Sequence, residues 1–463
     1  MKLAYNPDNK DSIIAFAKLL IGKSVQTEFK KDIPKLNLSD KDKGQLGKVI
    51  EELYFKYKPN SNSAADFKKA GLELKSSGLK QLKNKEYRAK ERLVLNIINF
   101  VTAINQKFDD DFLVGKNAHI LLVFYLYKKS TNQLASIIKL VGDWKYPSED
   151  LEIIRRDWEL IKKKIVDGKA HELSEGDTFY LGACTKGSKG GNLRFQPNSK
   201  IQAKQRAYSL KQGYVNHIIA SIANEPLAVY GKLIPSLAVA KKKTIEDIVI
   251  SKFKRFYGLT AEQISNAFAI EYTPGTKSFY AHLTKSILGI ELDKEIEEFE
   301  KAEIIVKTVR LKENNLPKED VSFPTFKYEE IVKEEWDESD FKEILEHKFL
   351  FVFFQFENEE LVLRKVKFWN MPYSDIQEAE KVWAKTKHVV KKGKIVKEVK
   401  AGIRYTNFPN KTFNSVSHVR PHATNALDTY PLPKKDRLTN KKEYTKHCFW
   451  LNSTYVRDEI YLK

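Results

Sequence analysis

Asp66-Phe67-Lys68-Lys69-Ala70-Gly71-Leu72-Glu73-Leu74-Lys75 is the stretch from which the rest of the chain can be read. An aspartate is followed, seven positions on, by Glu-x-Lys. Leu72 and Leu74 alternate with Glu73 and Lys75, the pattern of a strand, where successive side chains face opposite ways. Glu73 and Lys75 then project from one face. Two carboxylates and an ammonium gathered at one strand suit metal-dependent phosphodiester hydrolysis. The carboxylates hold Mg²⁺, and the lysine orients or deprotonates a water and steadies charge building on phosphate. Glu-x-Lys also occurs at Glu28-Phe29-Lys30, Glu346-His347-Lys348 and Glu398-Val399-Lys400. Taken alone, the pattern equally fits a solvated edge strand.

The composition narrows the setting. With 463 residues, two or more domains are expected. A hydrophobic fraction of 42% supports packed cores, and 12% aromatic residues argues against disorder. The net charge of +20 points to a polyanionic partner, nucleic acid before a membrane surface. Cys184 and Cys448 are the only cysteines, so neither a zinc cluster nor a disulfide framework is implied. A reducing cytoplasm fits. The first residues lack an apolar leader core, and the longest apolar run, Ile120 to Leu126, is too short to span a bilayer.

Along the chain, Ile13, Phe16, Leu19 and Leu20 predict a helix over 11–24, and a second opens at Lys43-Gly44-Gln45-Leu46-Gly47. Pro59-Asn60-Ser61-Asn62-Ser63 reads as a loop. Strands are expected at 72–75, 93–100, 119–126 and 137–141, and a helix over 148–166. The segment 171–215 is polar and basic, with Tyr180, Phe195, Tyr208 and Tyr214 spread through it. Thr244 is expected to begin a new helix. The expected division is 1–225, a linker at 226–243, and 244–463.

The second half repeats the plan of the first. Trp144-Lys145-Tyr146-Pro147-Ser148-Glu149-Asp150 is echoed by Trp369-Asn370-Met371-Pro372-Tyr373-Ser374-Asp375. Each proline is followed eleven residues later by a tryptophan, Trp158 and Trp383. The apolar runs at 119–126 and 349–356 match, as do 207–215 and 448–456. Aligning the halves puts Lys307 opposite Lys75 but Ile305 opposite Glu73. Lys285 falls opposite Glu51, and Glu298 opposite Asp66. An apolar residue and a lysine in place of two carboxylates should not hold Mg²⁺. The first half is therefore expected to keep the chemistry and the second only the fold.

These residues resemble the MutH mismatch-repair endonucleases and the GATC-specific restriction endonucleases of the Sau type. Asp66 with Gly71-Leu72-Glu73-Leu74-Lys75 is similar to that family's D…GVELK motif, a member of the PD-(D/E)xK nucleases. Gly47-Lys48-Val49-Ile50-Glu51 is similar to its glycine-to-glutamate helix. The resemblance implies an α+β fold, an α/β/α-type restriction-endonuclease-like core on a mixed sheet, present as two MutH-like domains in tandem. It implies Asp66 and Glu73 as metal ligands and Lys75 as the residue that positions or activates water. Glu51 supports the site from its helix, and Lys116 is the further lysine before the next strand. DNA-reading positions are implied at Lys186, Tyr208 and Lys211, and at Arg420, Pro421 and His422. Cys184 stands where the second half has Arg420, which removes a strong guanine contact from the first half. At His418 and His422, DNA contact, exposure and metal binding stay open.

The expected function is a magnesium-dependent, site-specific type II deoxyribonuclease cutting duplex DNA at 5′-GATC-3′. The C-terminal half binds a second site as effector or clamp without cutting. Dimerisation on DNA and a cognate GATC methyltransferase in the host complete the picture, with no membrane. A MutH-like nicking enzyme of mismatch repair and a non-catalytic DNA-binding regulator are the alternatives.

Overall fold

In this computed structural model, the described residues are 3–36, 38, 44–57, 64–129, 132–186, 192–224, 229–395, 397–400, 403–438 and 440–463. The loop expected at 59–63 and the helix start at Lys43 lie outside them. Two compact units emerge. Unit 1 is Met1–Leu173, Asp177–Thr244 and Asp293–Glu303; unit 2 is Ser174–Gly176, Ile245–Leu292 and Ile304–Lys463.

In unit 1, α1 (Lys10–Lys18) and α2 (Gln45–Val49) precede the strands. β1 (Glu73–Gln81), β2 (Tyr87–Ala89), β3 (Leu93–Ile98), β4 (Ile120–Leu126) and β5 (Ile138–Trp144) follow. The main sheet has the order β2-β1-β4-β5. β1 and β4 run parallel and the outer pairs antiparallel, so the sheet is mixed. The apolar residues of β4 are buried from Ile120 to Tyr125, as a strand covered on both faces requires. α3 (Ser148–Val166) carries acids in its first turn and lysines in its last, matching the helix dipole. It buries Ile153, Ile154, Trp158, Ile161 and Ile165 at helical spacing.

The segment 171–215 is more ordered than its polarity suggests. It holds β6 (Leu181–Thr185), the hairpin β7 (Leu193–Arg194) with β8 (Ala203–Lys204), β9 (Arg206–Leu210) and the start of α4 (Gln212–Ile222). A second sheet has the order β3-β9-β6. Buried Asp157 of α3 accepts hydrogen bonds from the backbone N–H groups of Phe179 (2.8 Å), Tyr180 (2.7 Å) and Leu181 (2.9 Å), which fixes the start of β6.

Unit 1 departs from the expected division in two places. The helix Leu237–Lys242 lies within the expected linker, and its end is tied to α3: Arg156 donates to the carbonyls of Ala240, Lys241 and Lys243. The segment Asp293–Glu303, expected in the C-terminal half, also belongs to unit 1. Its buried Lys301 pairs with Asp150 at 2.8 Å and Glu297 at 2.7 Å. Glu298, the counterpart of Asp66, accepts from the backbone of Leu233 and Ile234.

Unit 2 contains α5 (Lys277–Ile287), β10 (Ile305–Leu311), β11 (Val321–Thr325), β12 (Phe349–Glu357), β13 (Glu360–Trp369), α6 (Tyr373–Lys392), β14 (Ser417–Pro421) and β15 (His447–Leu451). Its sheets are β10-β12-β13 and β11-β15-β14. The register repeats that of unit 1. Glu73 pairs with Ile120, which pairs with Trp144. Ile305 pairs with Phe349, which pairs with Trp369. Ile305 and Lys307 thus occupy the strand positions of Glu73 and Lys75, as the alignment of the halves predicts.

Candidate active site

The site in unit 1 is assembled where β1 begins. Gly47 lets α2 lie against this strand, because a β-carbon there would stand 3.0 Å from Ser76 Oγ. α2 then widens into a π turn, Ile50–Tyr54, which carries Glu51. Such turns are commonly found at functional sites. Gly71 takes a φ of +62°, the left-handed conformation glycine adopts without a β-carbon penalty. That turn folds Asp66 back onto β1.

Asp66 and Glu73 are tied through the backbone. Asp66 N–H donates to Glu73 Oε2 (3.2 Å), and Leu74 N–H donates to Asp66 Oδ2 (3.0 Å). Glu73 is 1% exposed. Its Oε1 receives Lys75 Nζ at 2.8 Å and Lys116 Nζ at 3.2 Å. The structure therefore brings Glu51, Asp66, Glu73, Lys75 and Lys116 together from three separate stretches of chain. Burial raises the Glu73 carboxyl above the ordinary range; Lys75 opposes it, Asp66 reinforces it and Lys116 opposes it. Burial also pushes Glu51 up to about 7, aided by the charges of Asp66 and Glu73 and opposed by Lys75 and Lys116.

Four residues beside the site carry no sequence motif. Asn117 donates to Asp111 Oδ1 (2.9 Å) and Asn96 Oδ1 (2.8 Å), and Asn96 donates to Asp111 Oδ2 (3.3 Å). This part-buried network holds the turn that presents Lys116. Tyr57 is the fourth: burial, then the charges of Asp66, Glu51 and Glu73, keep its phenol protonated well above the usual range.

No group of three His, Cys, Asp or Glu side chains among the described residues stands ready to hold a metal by itself. Mg²⁺ does not require one: it keeps several waters and is held through one or two carboxylates plus substrate phosphate. Asp66 and Glu73 would form such a pair. Burial is the main cause of the raised pKa of Glu51 and Glu73, and a divalent cation beside these carboxylates would favour their charged forms.

The DNA-reading positions fare differently. Lys186 is half-buried just after β6, with its backbone N–H on Gln205 O at 2.7 Å. Two expectations are corrected. Tyr208 is a buried ring of the core. Lys211 is 3% exposed, and its ammonium donates to the carbonyls of Thr178 (2.7 Å) and Ala302 (3.4 Å). Neither side chain is presented to DNA here. In unit 2, Arg420 is 41% exposed at its side chain, and Pro421 and His422 are exposed beside it. The His422 ring stands edge-on to Trp450 at 5.1 Å. His418 is buried and bonded through Nδ1 to Asn452 Oδ1 at 2.6 Å. Cys184 and Cys448 are both buried.

Residues 55–157 match the family described as DNA mismatch repair enzyme MutH. That span includes Asp66, Glu73, Lys75 and Lys116; Glu51 lies four residues before it. With its restriction-endonuclease-like fold and this site, the chain belongs to the MutH-type restriction endonucleases, metal-dependent nucleases that act on DNA. It is similar over nearly its whole length to the type II restriction enzyme Sau3AI of Staphylococcus aureus. The two are 36% identical over 466 residues, covering 90% of this chain and 92% of that enzyme. No helix among the described residues is long and apolar enough to cross a membrane.

Proposed function

We propose that the chain cuts duplex DNA at 5′-GATC-3′ with Mg²⁺, using one active site in unit 1. The observation that carries this reading is the meeting of Asp66, Glu73, Lys75, Lys116 and Glu51 at one strand end, opposite a copy in which Ile305 replaces the glutamate. Asp66 and Glu73 would hold the metal, which when bound would supply Lewis-acid charge. Lys75 orients the attacking water or takes its proton, Lys116 steadies negative charge, and Glu51 supports the site from the π turn.

The C-terminal half binds GATC without cutting and acts as an effector. Arg420, Pro421 and His422 face DNA there, and Lys186 does so in the first half. Two chains meet on DNA, in the cytoplasm of a host that protects its own sites with a GATC methyltransferase. Digestion of methylated and unmethylated GATC plasmids, with Mg²⁺ or with chelator, followed by end mapping, tests the activity. Ends elsewhere than GATC, or cleavage in chelator, would refute it. Faster cutting of plasmids with two sites than with one is expected of the effector role, and equal rates would remove it.

A further inference from the structure

Unit 2 prepares one arginine before any partner arrives. Arg420 on β14 lies with its guanidinium carbon 3.9 Å from the centre of the Trp450 ring on β15. Its Nη1 donates to Asp320 Oδ2 at 3.1 Å. Asp320 is itself fixed. Lys411 reaches its two oxygens at 2.7 and 2.9 Å, and Ser453 N–H donates to Oδ1 at 2.9 Å. The guanidinium is thus held by stacking on one face and by a buried carboxylate at one nitrogen. Nε and Nη2 keep no hydrogen-bond partner among the described residues. A free arginine loses rotamer freedom when it binds; this one has lost much of it already.

The strand registers allow a like-for-like comparison with unit 1. Ser417 pairs with Leu451, His418 with Trp450 and Arg420 with Cys448. In unit 1, Leu181 pairs with Leu210, Gly182 with Ser209 and Cys184 with Ala207. Cys184 therefore holds the place of Arg420, and Ser209 that of Trp450. Val321 pairs with Leu451 as Leu93 pairs with Leu210, so Arg92 holds the place of Asp320. All three members differ together: carboxylate to cation, cation to thiol, ring to hydroxyl. Unrelated drift at three positions would leave some of the set in place. Its presence as a whole in one unit and absence as a whole in the other mark it as one device.

We propose that Asp320 and Trp450 are positioning residues that hold Arg420 as the guanine-reading group of unit 2, a device unit 1 does not contain. The inference rests on the reading of unit 2 as a GATC-binding half. A planar fork fixed in direction suits the O6 and N7 acceptors of guanine in the major groove. A phosphate contact needs no such fixing, since a flexible lysine suffices.

The test is equilibrium binding of the full chain, in chelator, to three duplexes: one with GATC, the same with 7-deazaguanine in the site, and a scrambled control. Asp320→Asn and Trp450→Ala are each expected to weaken GATC binding roughly ten- to a hundredfold, with scrambled binding unchanged. Trp450→Phe should retain most affinity, and Arg420→Lys should lose as much as Arg420→Ala. 7-Deazaguanine should cost the wild type more than either positioning variant. Thermal unfolding accompanies each variant; if Asp320→Asn does not fold, Trp450→Phe and Arg420→Lys carry the comparison. If Arg420→Ala weakens GATC binding but Asp320→Asn and Trp450→Ala do not, the positioning role is wrong and the reading of unit 2 survives. If Arg420→Ala changes nothing, that reading falls as well. Equal losses on the scrambled duplex would assign Arg420 to phosphate and overturn the proposal.

Discussion

At the scale of single residues, the site turns on one buried oxygen. Glu73 Oε1 receives both Lys75 and Lys116, so each lysine is held by the carboxylate proposed to bind metal. Lys75 is the nearer. Lys75→Ala is expected to lower single-turnover cleavage by about 10²–10⁴-fold, the usual range for a positioned proton-transfer or electrostatic group. Lys116→Ala should cost less. Circular dichroism must show both variants folded, and a Lys75→Ala protein that cuts at the wild-type rate would remove the assignment. Glu51 gives a prediction of a different kind. Burial and neighbouring charge hold its pKa at about 7 in the fold, above its value in the unfolded chain. Folding then takes up a proton between the unfolded carboxylate range and about pH 7. Without metal, stability contributed by this group is greatest at the acid end and falls as pH rises through that window. Glu51→Gln should flatten the slope. Thermal unfolding in chelator, from about pH 5 to about pH 8, reads it. A wild-type curve with the opposite slope and no change in Glu51→Gln would contradict the assignment.

At the scale of elements, the turn before β4 matters most. Asn117 is fully buried and satisfies both Asp111 and Asn96. Asn117→Ala leaves half-buried acceptors on Asp111 and Asn96 without this partner, which costs about 1–3 kcal/mol, and frees the turn bearing Lys116. Cleavage should fall further than stability alone explains, approaching the rate of Lys116→Ala. A double variant no slower than Lys116→Ala would show that both act through the same lysine; additive losses would show that they do not. These elements also mark how much could be read beforehand. β4 was legible because a short run of seven apolar residues, Ile120–Leu126, suits a strand covered on both faces. α3 was legible from its apolar spacing, and Glu73 with Lys75 from the alternation of β1. The Asn96–Asp111–Asn117 network was not, because its members are 6, 15 and 21 residues apart and carry no periodic signal. The stretch 171–215 misled for a related reason. Tyr208 reads as a DNA-contacting ring in a polar stretch, yet it lies within β9 and is buried in the core. Lys211 reads as a free cation, yet its acceptors lie 33 and 91 residues away.

At the scale of the whole molecule, the two units share a strand register and differ in chemistry. Ile305 takes the place of Glu73, and Lys307, kept from the pattern, donates to Ser322 O at 3.0 Å. Glu298, aligned with Asp66, is bound to the backbone of Leu233 and Ile234 in unit 1. On the reading proposed above, the second set builds no metal site, and each chain would bring one cutting centre to a duplex with two strands. A single chain must then cut twice in sequence, or two chains must act together, as proposed above. Mixing separates these. Wild-type protein and an excess of Lys75→Ala are incubated, then presented with a supercoiled plasmid holding GATC sites and Mg²⁺. If two chains act together, mixed pairs carry one live centre, and open circles should accumulate in proportion to the inactive chain. If one chain cuts both strands, the inactive protein only competes for sites: the rate falls, while the ratio of nicked to linear product stays that of the wild type. An unchanged ratio across the mixing series would therefore rule out paired action and leave sequential cutting by one chain.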